Sequence, residues 1–216
     1  MKPTALNHKK DDATSKMGFA FSARMKWMIA IVISISAFFS CQQDDDLKPI
    51  PSSINHKVLE EPFPVMNLNA YLLDLNEDGI QDFSINVMSV GFDRGVRNYF
   101  QIQSNRDARV MLSEEEITPL SSGTAIGPET ASEVSKWSIF TGALMVRIVT
   151  ENQPDQWSGP WAPDKDFYAG VSIRVDGEYH YGWVKLLADR ESHAVFVQEY
   201  AFNAKPNQAI KAGQRQ

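Results

Sequence analysis

The chain has 216 residues and a formal charge of -6, from 27 Asp and Glu against 21 Lys and Arg. Residues 1–40 hold six of the basic and two of the acidic side chains, which leaves 15 against 25, or -10, for the rest. A body that acidic disfavours nucleic acid and anionic membrane surfaces as partners, and a single cysteine, Cys41, excludes an intrachain disulfide.

In chain order, the first forty residues read as an export segment rather than as part of a fold. Met25-Lys26 gives a short basic start to the apolar run Trp27 to Phe39. That run is too short for a stable membrane span, which needs ~20 residues, and has the length of a signal-peptide core. It ends at Ser40-Cys41. Here the chain resembles a bacterial lipoprotein signal, in which a small residue precedes a cysteine that is lipidated and becomes the new N-terminus. The resemblance implies Cys41 as the lipidation site and a lipid as the membrane anchor. Behind it, Gln42-Gln43-Asp44-Asp45-Asp46 resembles the acidic tag that sends some Gram-negative lipoproteins to the outer cell surface. The same polar and proline-rich composition would give a flexible tether in any case. The expected division is therefore a signal helix with an upstream extension over 1–40, a lipidated cysteine and disordered tether over 41–61, and a folded domain over 62–216.

The clearest chemical signal follows. Asp74-Leu75-Asn76-Glu77-Asp78-Gly79-Ile80-Gln81-Asp82 places oxygen-bearing side chains at the first, third, fifth and ninth positions of a tight loop. Ca²⁺ takes six to eight oxygen ligands at about 2.3–2.6 Å. Asp74, Asn76 and Asp78 can face one centre, Gly79 permits the bend, the Ile80 carbonyl can point inward and Asp82 can close the cage. The twelfth position is Ile85, where a helical EF-hand needs a bidentate Glu. The flanks also read as strands, since Phe83, Ile85 and Val87 alternate with polar residues. The loop thus resembles the cages of integrin-type FG-GAP repeats and thrombospondin type 3 repeats, but in one copy, which argues against a propeller or repeat array. The resemblance implies a structural Ca²⁺ on Asp74, Asn76, Asp78, Ile80 and Asp82. The alternative is an Asn/Asp/Gly-rich turn that binds nothing.

Beyond the loop the grammar is strand and turn. Arg97 to Ile102 and Ala108 to Leu112 flank a polar turn, and Glu114-Glu115-Glu116 reads as a solvated face. Residues 118–130 form a long Pro/Ser/Gly/Thr loop, and 130–133 can cap one helical turn. Trp137 to Phe140 and Leu144 to Val149 lead to Trp157 and Trp161 in a proline-glycine loop. Those two rings are either a platform for a glycan or protein ligand or a plug for the core. The last third alternates strictly over Phe167 to Val175, turns at Asp176-Gly177, and continues through Tyr179 to Leu187 and Ala194 to Phe202. Eight or nine strands joined this way predict an all-β domain, an antiparallel two-sheet β-sandwich.

The motifs His180-Tyr181-Gly182-Trp183-Val184-Lys185-Leu186, Tyr200-Ala201-Phe202, Pro206 and Ile210-Lys211-Ala212-Gly213 resemble the C-terminal half of an uncharacterised group of secreted or surface-anchored bacterial β-proteins. That resemblance implies fold and location, not activity. No Gly-x-Ser-x-Gly elbow is present, His180 and His193 lack zinc-site spacing, and no free thiol remains. The expectation is a lipid-anchored, calcium-stabilised outer-membrane surface protein that is a non-catalytic binding or structural module. The alternative is a secreted, glycosidase-like hydrolase whose carboxylates come from separate strands.

Overall fold

A computed structural model describes residues 52–129, 132–161 and 166–216. The signal helix, Cys41 and the first part of the tether lie outside the described residues. So does part of the helical turn expected at 130–133.

The described chain is all-β, with fifteen strands. They begin with β1 (Ile54–Val65), β2 (Tyr71–Leu73), β3 (Phe83–Phe92), β4 (Gly95–Ser104) and β5 (Arg109–Ser113). Short pieces follow at β6 (Glu116–Ile117), β7 (Pro119–Leu120), β8 (Ala125–Ile126) and β9 (Ser135–Ser138). The long strands resume at β10 (Gly142–Thr150), with β11 (Gln156–Ser158) beside it. The chain closes with β12 (Asp166–Val175), β13 (Glu178–Asp189), β14 (Ala194–Asn203) and β15 (Ile210–Lys211). The excess over the expected eight or nine strands comes from segments of two to four residues, of which β6, β7, β9 and β11 join the main sheet and β8 and β15 pair with each other.

Thirteen strands share one hydrogen-bonded sheet: ten follow the order β1-β14-β13-β12-β5-β6-β10-β4-β3-β2, while β11 pairs with β10, β7 with β12 and β9 with β5. The remaining strands, β8 and β15, form a small separate pair. The pairings are antiparallel, apart from a single parallel contact of Glu116 in β6 with Ala143 in β10. The sheet curls until its two end strands approach, bringing the Phe63 ring of β1 within 5.1 Å of the Tyr71 ring of β2. Where two separate layers are expected from the meander pattern, β5 and β6 carry the hydrogen bonding across. Period-two alternation fixes which side chains face inward but not where one layer ends and the next begins.

One face of the curled sheet holds the main core. Leu73, Phe83, Ile85, Ile102, Val110, Leu144, Val171, Leu186 and Val197 are among its nearly inaccessible members. Each such aliphatic or aromatic side chain contributes ~1.5–3 kcal/mol relative to exposure. The strands β12, β13 and β14 are buried on the other face as well. There Met111, Leu120, Ile126, Tyr168, Trp183, Ile210 and Ala212 form a second cluster. That double burial explains the nearly unbroken buried run from Tyr168 to Ile173, where simple alternation predicts a polar outer face.

The folded part also starts earlier than its sequence suggests. Residues 54–61, expected as tether, belong to β1, which pairs with β14 from Ile54 opposite Asn203 to Val65 opposite Val195. The register slips between Val58 and Phe63, and Glu60, Glu61 and Pro62 are exposed. An edge strand with a bulge, charges and a proline is protected against further pairing, and it hides its periodicity for the same reason.

Candidate metal loop and a buried ionic cluster

The loop 74–82 connects β2 to β3 and is seated by its second residue. Leu75 is 1 % exposed and joins the main core. At Gly182 of β13, an added Cβ would stand 2.5 Å from the Ala201 carbonyl oxygen and 3.3 Å from Leu75 Cδ2. The glycine of the His180-to-Leu186 motif therefore permits the close approach on which Leu75 depends.

With Leu75 inside, the polar residues turn outward around the bend. The Asp78 and Gly79 amides donate to the Asp74 carboxylate at 3.2 and 2.7 Å. The Ile80 amide donates to Asp78 at 2.8 Å, and the Leu75 amide donates to Asp82 at 2.8 Å. Gly79 has φ +86° with open space where a Cβ would lie, so its role is the left-handed backbone rather than room. The Asn76 amide nitrogen donates to Asp78 at 3.0 Å, while its Oδ1 is buried without a hydrogen-bond partner.

The charge balance at this bend is negative. Burial pushes the Asp82 carboxyl up to about 6, and the nearby Asp74 and Asp78 charges add to the rise. The Leu75 amide and Arg106 act in the opposite direction without cancelling it. Among the described residues no three His, Cys, Asp or Glu side chains converge closely enough to hold a metal by themselves. The side chains of Asp74, Asn76, Asp78 and Asp82 are three carboxylates and one amide, and each of these carboxylates accepts from a backbone amide. An exposed ion pair of Lys57 with Glu77 links the loop to β1.

A second gathering of charge lies on the outer face of β13 and β14. Glu199 has a side chain only 5 % exposed, and it meets His56 Nε2 at 2.8 Å, Arg215 at 2.9 Å and Lys185 Nζ at 3.7 Å. Lys185 also reaches Asp166 at 2.8 Å, and Gln198 donates to Asp166 at 3.0 Å. Pairing of β13 with β14 sets Lys185 directly opposite Glu199. Burial opposes ionisation of Glu199, yet hydrogen bonds from Arg215 and His56 with the charges of Arg215 and Lys185 hold its carboxyl below the ordinary range. The C-terminal segment closes over this place, with the Trp183 indole donating to the Gln214 carbonyl at 3.2 Å. Both acids are paired with cations, and the cluster ties β1, β13, β14 and the C-terminal segment together.

Sequence reasoning misses this cluster entirely. Its only trace is two charged residues, Lys185 and Glu199, in the interiors of β13 and β14.

The two tryptophans of the proline-glycine loop part company. Trp161 is 1 % exposed and its indole donates to the Ile117 carbonyl at 2.9 Å, which places the ring inside the core with no face open to solvent. Trp157 is half-buried, stacked on Phe100 at 6.1 Å and flanked by Arg147 and Arg190 at 5.9 and 5.8 Å. Asp155 beside it pairs with Arg147 at 2.6 Å. His180 is buried with Nδ1 2.9 Å from the Asn203 carbonyl oxygen, and His193 faces Trp157 at 6.0 Å, so the two histidines share no centre.

Comparison of the chain with protein-family models, with curated proteins and with solved structures gives no match.

Proposed function

We propose that this chain is a lipid-anchored, extracytoplasmic β-domain, stabilised by Ca²⁺ at 74–82, that works as a non-catalytic binding or structural module. In this reading the two halves of the continuous sheet are the layers of a sandwich, and Cys41 carries the lipid that holds the domain at the outer membrane surface. The observation that carries the calcium part is the electrostatic deficit of the loop. Asp82 is half-buried beside two further carboxylates, and the neighbouring Asn76 Oδ1 is buried with no donor to satisfy it. A hard cation would relieve both at once. Asp74, Asn76, Asp78 and Asp82 with the Ile80 carbonyl would hold it, and its chemistry would be structural, cross-linking the β2–β3 turn. Support for a non-catalytic role comes from the carboxylates themselves, since Glu199 and Asp166 are paired to cations and Asp155 to arginine.

The test is thermal unfolding with chelator and with added ions. A site without a bidentate Glu belongs with extracellular modules of Kd ~10⁻⁴–10⁻³ M. At about 10 mM Ca²⁺, roughly ten- to a hundredfold over Kd, binding to the native state adds about 1.4–2.7 kcal/mol. That raises Tm by about 3–11 °C over the chelated protein, and Mg²⁺ at the same concentration does less. Identical melting curves in chelator and in calcium would reduce the loop to an acidic turn. The anchor is tested separately by Cys41→Ser, which should move the protein out of the membrane fraction or leave an unprocessed precursor; unchanged fractionation and mobility would remove the lipid from the proposal.

A further inference from the structure

The two ends of the main sheet carry opposite kinds of edge. At one end β1 is guarded by its bulge, by Glu60 and Glu61 and by Pro62. At the other end β2 covers β3 only from Phe83 to Ile85. Beyond that point the outer edge of β3, from Asn86 to Phe92, pairs with no strand among the described residues. The pair of Phe92 with Gly95 closes a two-residue turn, so Asn86, Met88 and Val90 turn their backbone groups to β4. Val87, Ser89 and Gly91 turn theirs outward, and among the described residues no backbone hydrogen bond meets them on that side.

That open stretch lacks every device that guards β1. It reads Asn86-Val87-Met88-Ser89-Val90-Gly91-Phe92, with no charge, no proline and no slip of register against β4. Residues 88–91 are exposed in succession, and the apolar Met88 and Val90 are 46 % and 42 % exposed. A row of unpaired amides and carbonyls specifies a strand as its partner, because a strand offers acceptors and donors at the same spacing. This strand is also its own complement. Two copies laid antiparallel about a two-fold axis at Ser89 set Val87 against Gly91 and Ser89 against Ser89. That register alone engages all three outward-facing residues, and each opposed pair exchanges two N–H···O bonds. It brings Met88 of one copy beside Val90 of the other on the outer face. On the inner face Gly91 leaves room beside Val87, since nothing lies within 4 Å of where its Cβ would stand.

We propose that the open edge of β3 pairs antiparallel with β3 of a second copy of this chain, joining two domains into one continuous sheet. Charge favours this occupant and this place. Residues 41–216 carry -10, so two copies repel wherever acidic surfaces meet. Along β3 no charge faces another, and opposed like charges are what ordinarily forbid such a pairing. Because β1 is guarded, each copy has one edge to offer. The two-fold contact therefore closes as a dimer and does not grow into a filament. The paired stretch 87–91 is short against the ~20–30 residues a side of a standard interface, so the dimer is weak, with Kd ~10⁻⁵–10⁻³ M. The proposal goes beyond the binding-module reading and rests on neither calcium nor the lipid.

The experiment is sedimentation velocity on the full chain in detergent, in a Cys41→Ser background so that no native thiol interferes. From about 5 to about 500 µM the protein should shift from monomer toward dimer, with no larger species. Val90→Lys sets a charge on the exposed outer face of the joint and should raise Kd about tenfold or more. Ser89→Pro removes an outward N–H that makes no bond to β4, and should abolish the dimer. Val58→Lys, at a 60 % exposed position on the guarded edge, should leave Kd unchanged. Ser89→Cys should oxidise to a covalent dimer, because opposed residues of a hydrogen-bonded pair have Cα atoms ~5.5 Å apart, within disulfide reach. Val58→Cys should not. Monomer alone at about 500 µM, or equal weakening by Val90→Lys and Val58→Lys, would overturn the proposal. So would a dimer that Val90→Lys leaves intact, a ladder of higher oligomers, or a dimer that Ser89→Cys does not cross-link. Melting is read on every variant, and Val90→Lys, already exposed in the monomer, decides the matter if Ser89→Pro does not fold.

Discussion

The loop 74–82 and the cluster around Glu199 both gather acidic side chains at the border of the core, and they resolve the resulting charge in opposite ways. Glu199 has a side chain only 5 % exposed, yet its carboxyl is held below the ordinary range because Arg215, His56 and Lys185 surround it. Asp82 is half-buried, and its carboxyl rises to about 6 because burial and two like charges outweigh one amide and Arg106. Burial alone therefore does not decide the state of an acid. What decides it is whether the neighbouring strands supply cations, as they do for Glu199, or whether the cation has to come from solution, as proposed for the loop.

The contrast makes unequal and opposite predictions for removing each acid. Glu199→Ala leaves Lys185 and a half-buried His56 without their shared partner, and breaking a buried pair in this way costs ~3 kcal/mol. Urea unfolding should show that loss at neutral pH. A cost under ~1 kcal/mol would mean that the cluster behaves like an exposed ion pair. The pH dependence provides a second reading of the same comparison. A carboxyl whose folded pKa lies below its unfolded value contributes its stability above the unfolded value, and that contribution disappears as pH falls through the folded one. The wild-type urea midpoint should therefore fall as pH drops below the ordinary glutamate range, and the slope should be shallower in Glu199→Gln.

At the loop the sign reverses and the effect is smaller. Asp82→Asn keeps an oxygen for the Leu75 amide but removes one of three crowded charges. In chelator at pH 7 the variant should be more stable than wild type by ~1 kcal/mol, a figure discounted for the half-open setting. Added calcium should then raise its Tm little or not at all. Loss of stability in chelator would show that the Asp82 charge is already compensated within the chain. A calcium response equal to wild type would remove Asp82 from the ligand set.

Much of the strand content was legible from local pattern. The alternation at Phe83 to Val87 and Phe167 to Val175, and the Asp176-Gly177 turn, recur as β3, β12 and the β12–β13 hairpin. Side-chain period two is a property of each strand alone and needs no partner to be read. The loop was legible for the same reason, since its hydrogen bonds close within nine residues. The start of β1 was not legible, because residues 54–61 are an exposed, bulged edge whose order comes from β14, well over a hundred residues away.

By itself the sequence determined an all-β domain, a tight acidic loop between two strands and a C-terminal meander, because those follow from backbone geometry and near-neighbour chemistry. Tertiary structure alone decided that thirteen strands join in one curled sheet and that Trp161 lies inside while Trp157 stays half-exposed. It also decided that His56, Lys185, Glu199 and Arg215 meet. Their encounter depends on the register of β1 and β13 against β14 and on the path of the C-terminal segment. Burial and ion pairing across such distances are set by which strands become neighbours, and that choice minimises exposed apolar area over the whole chain rather than within any one segment.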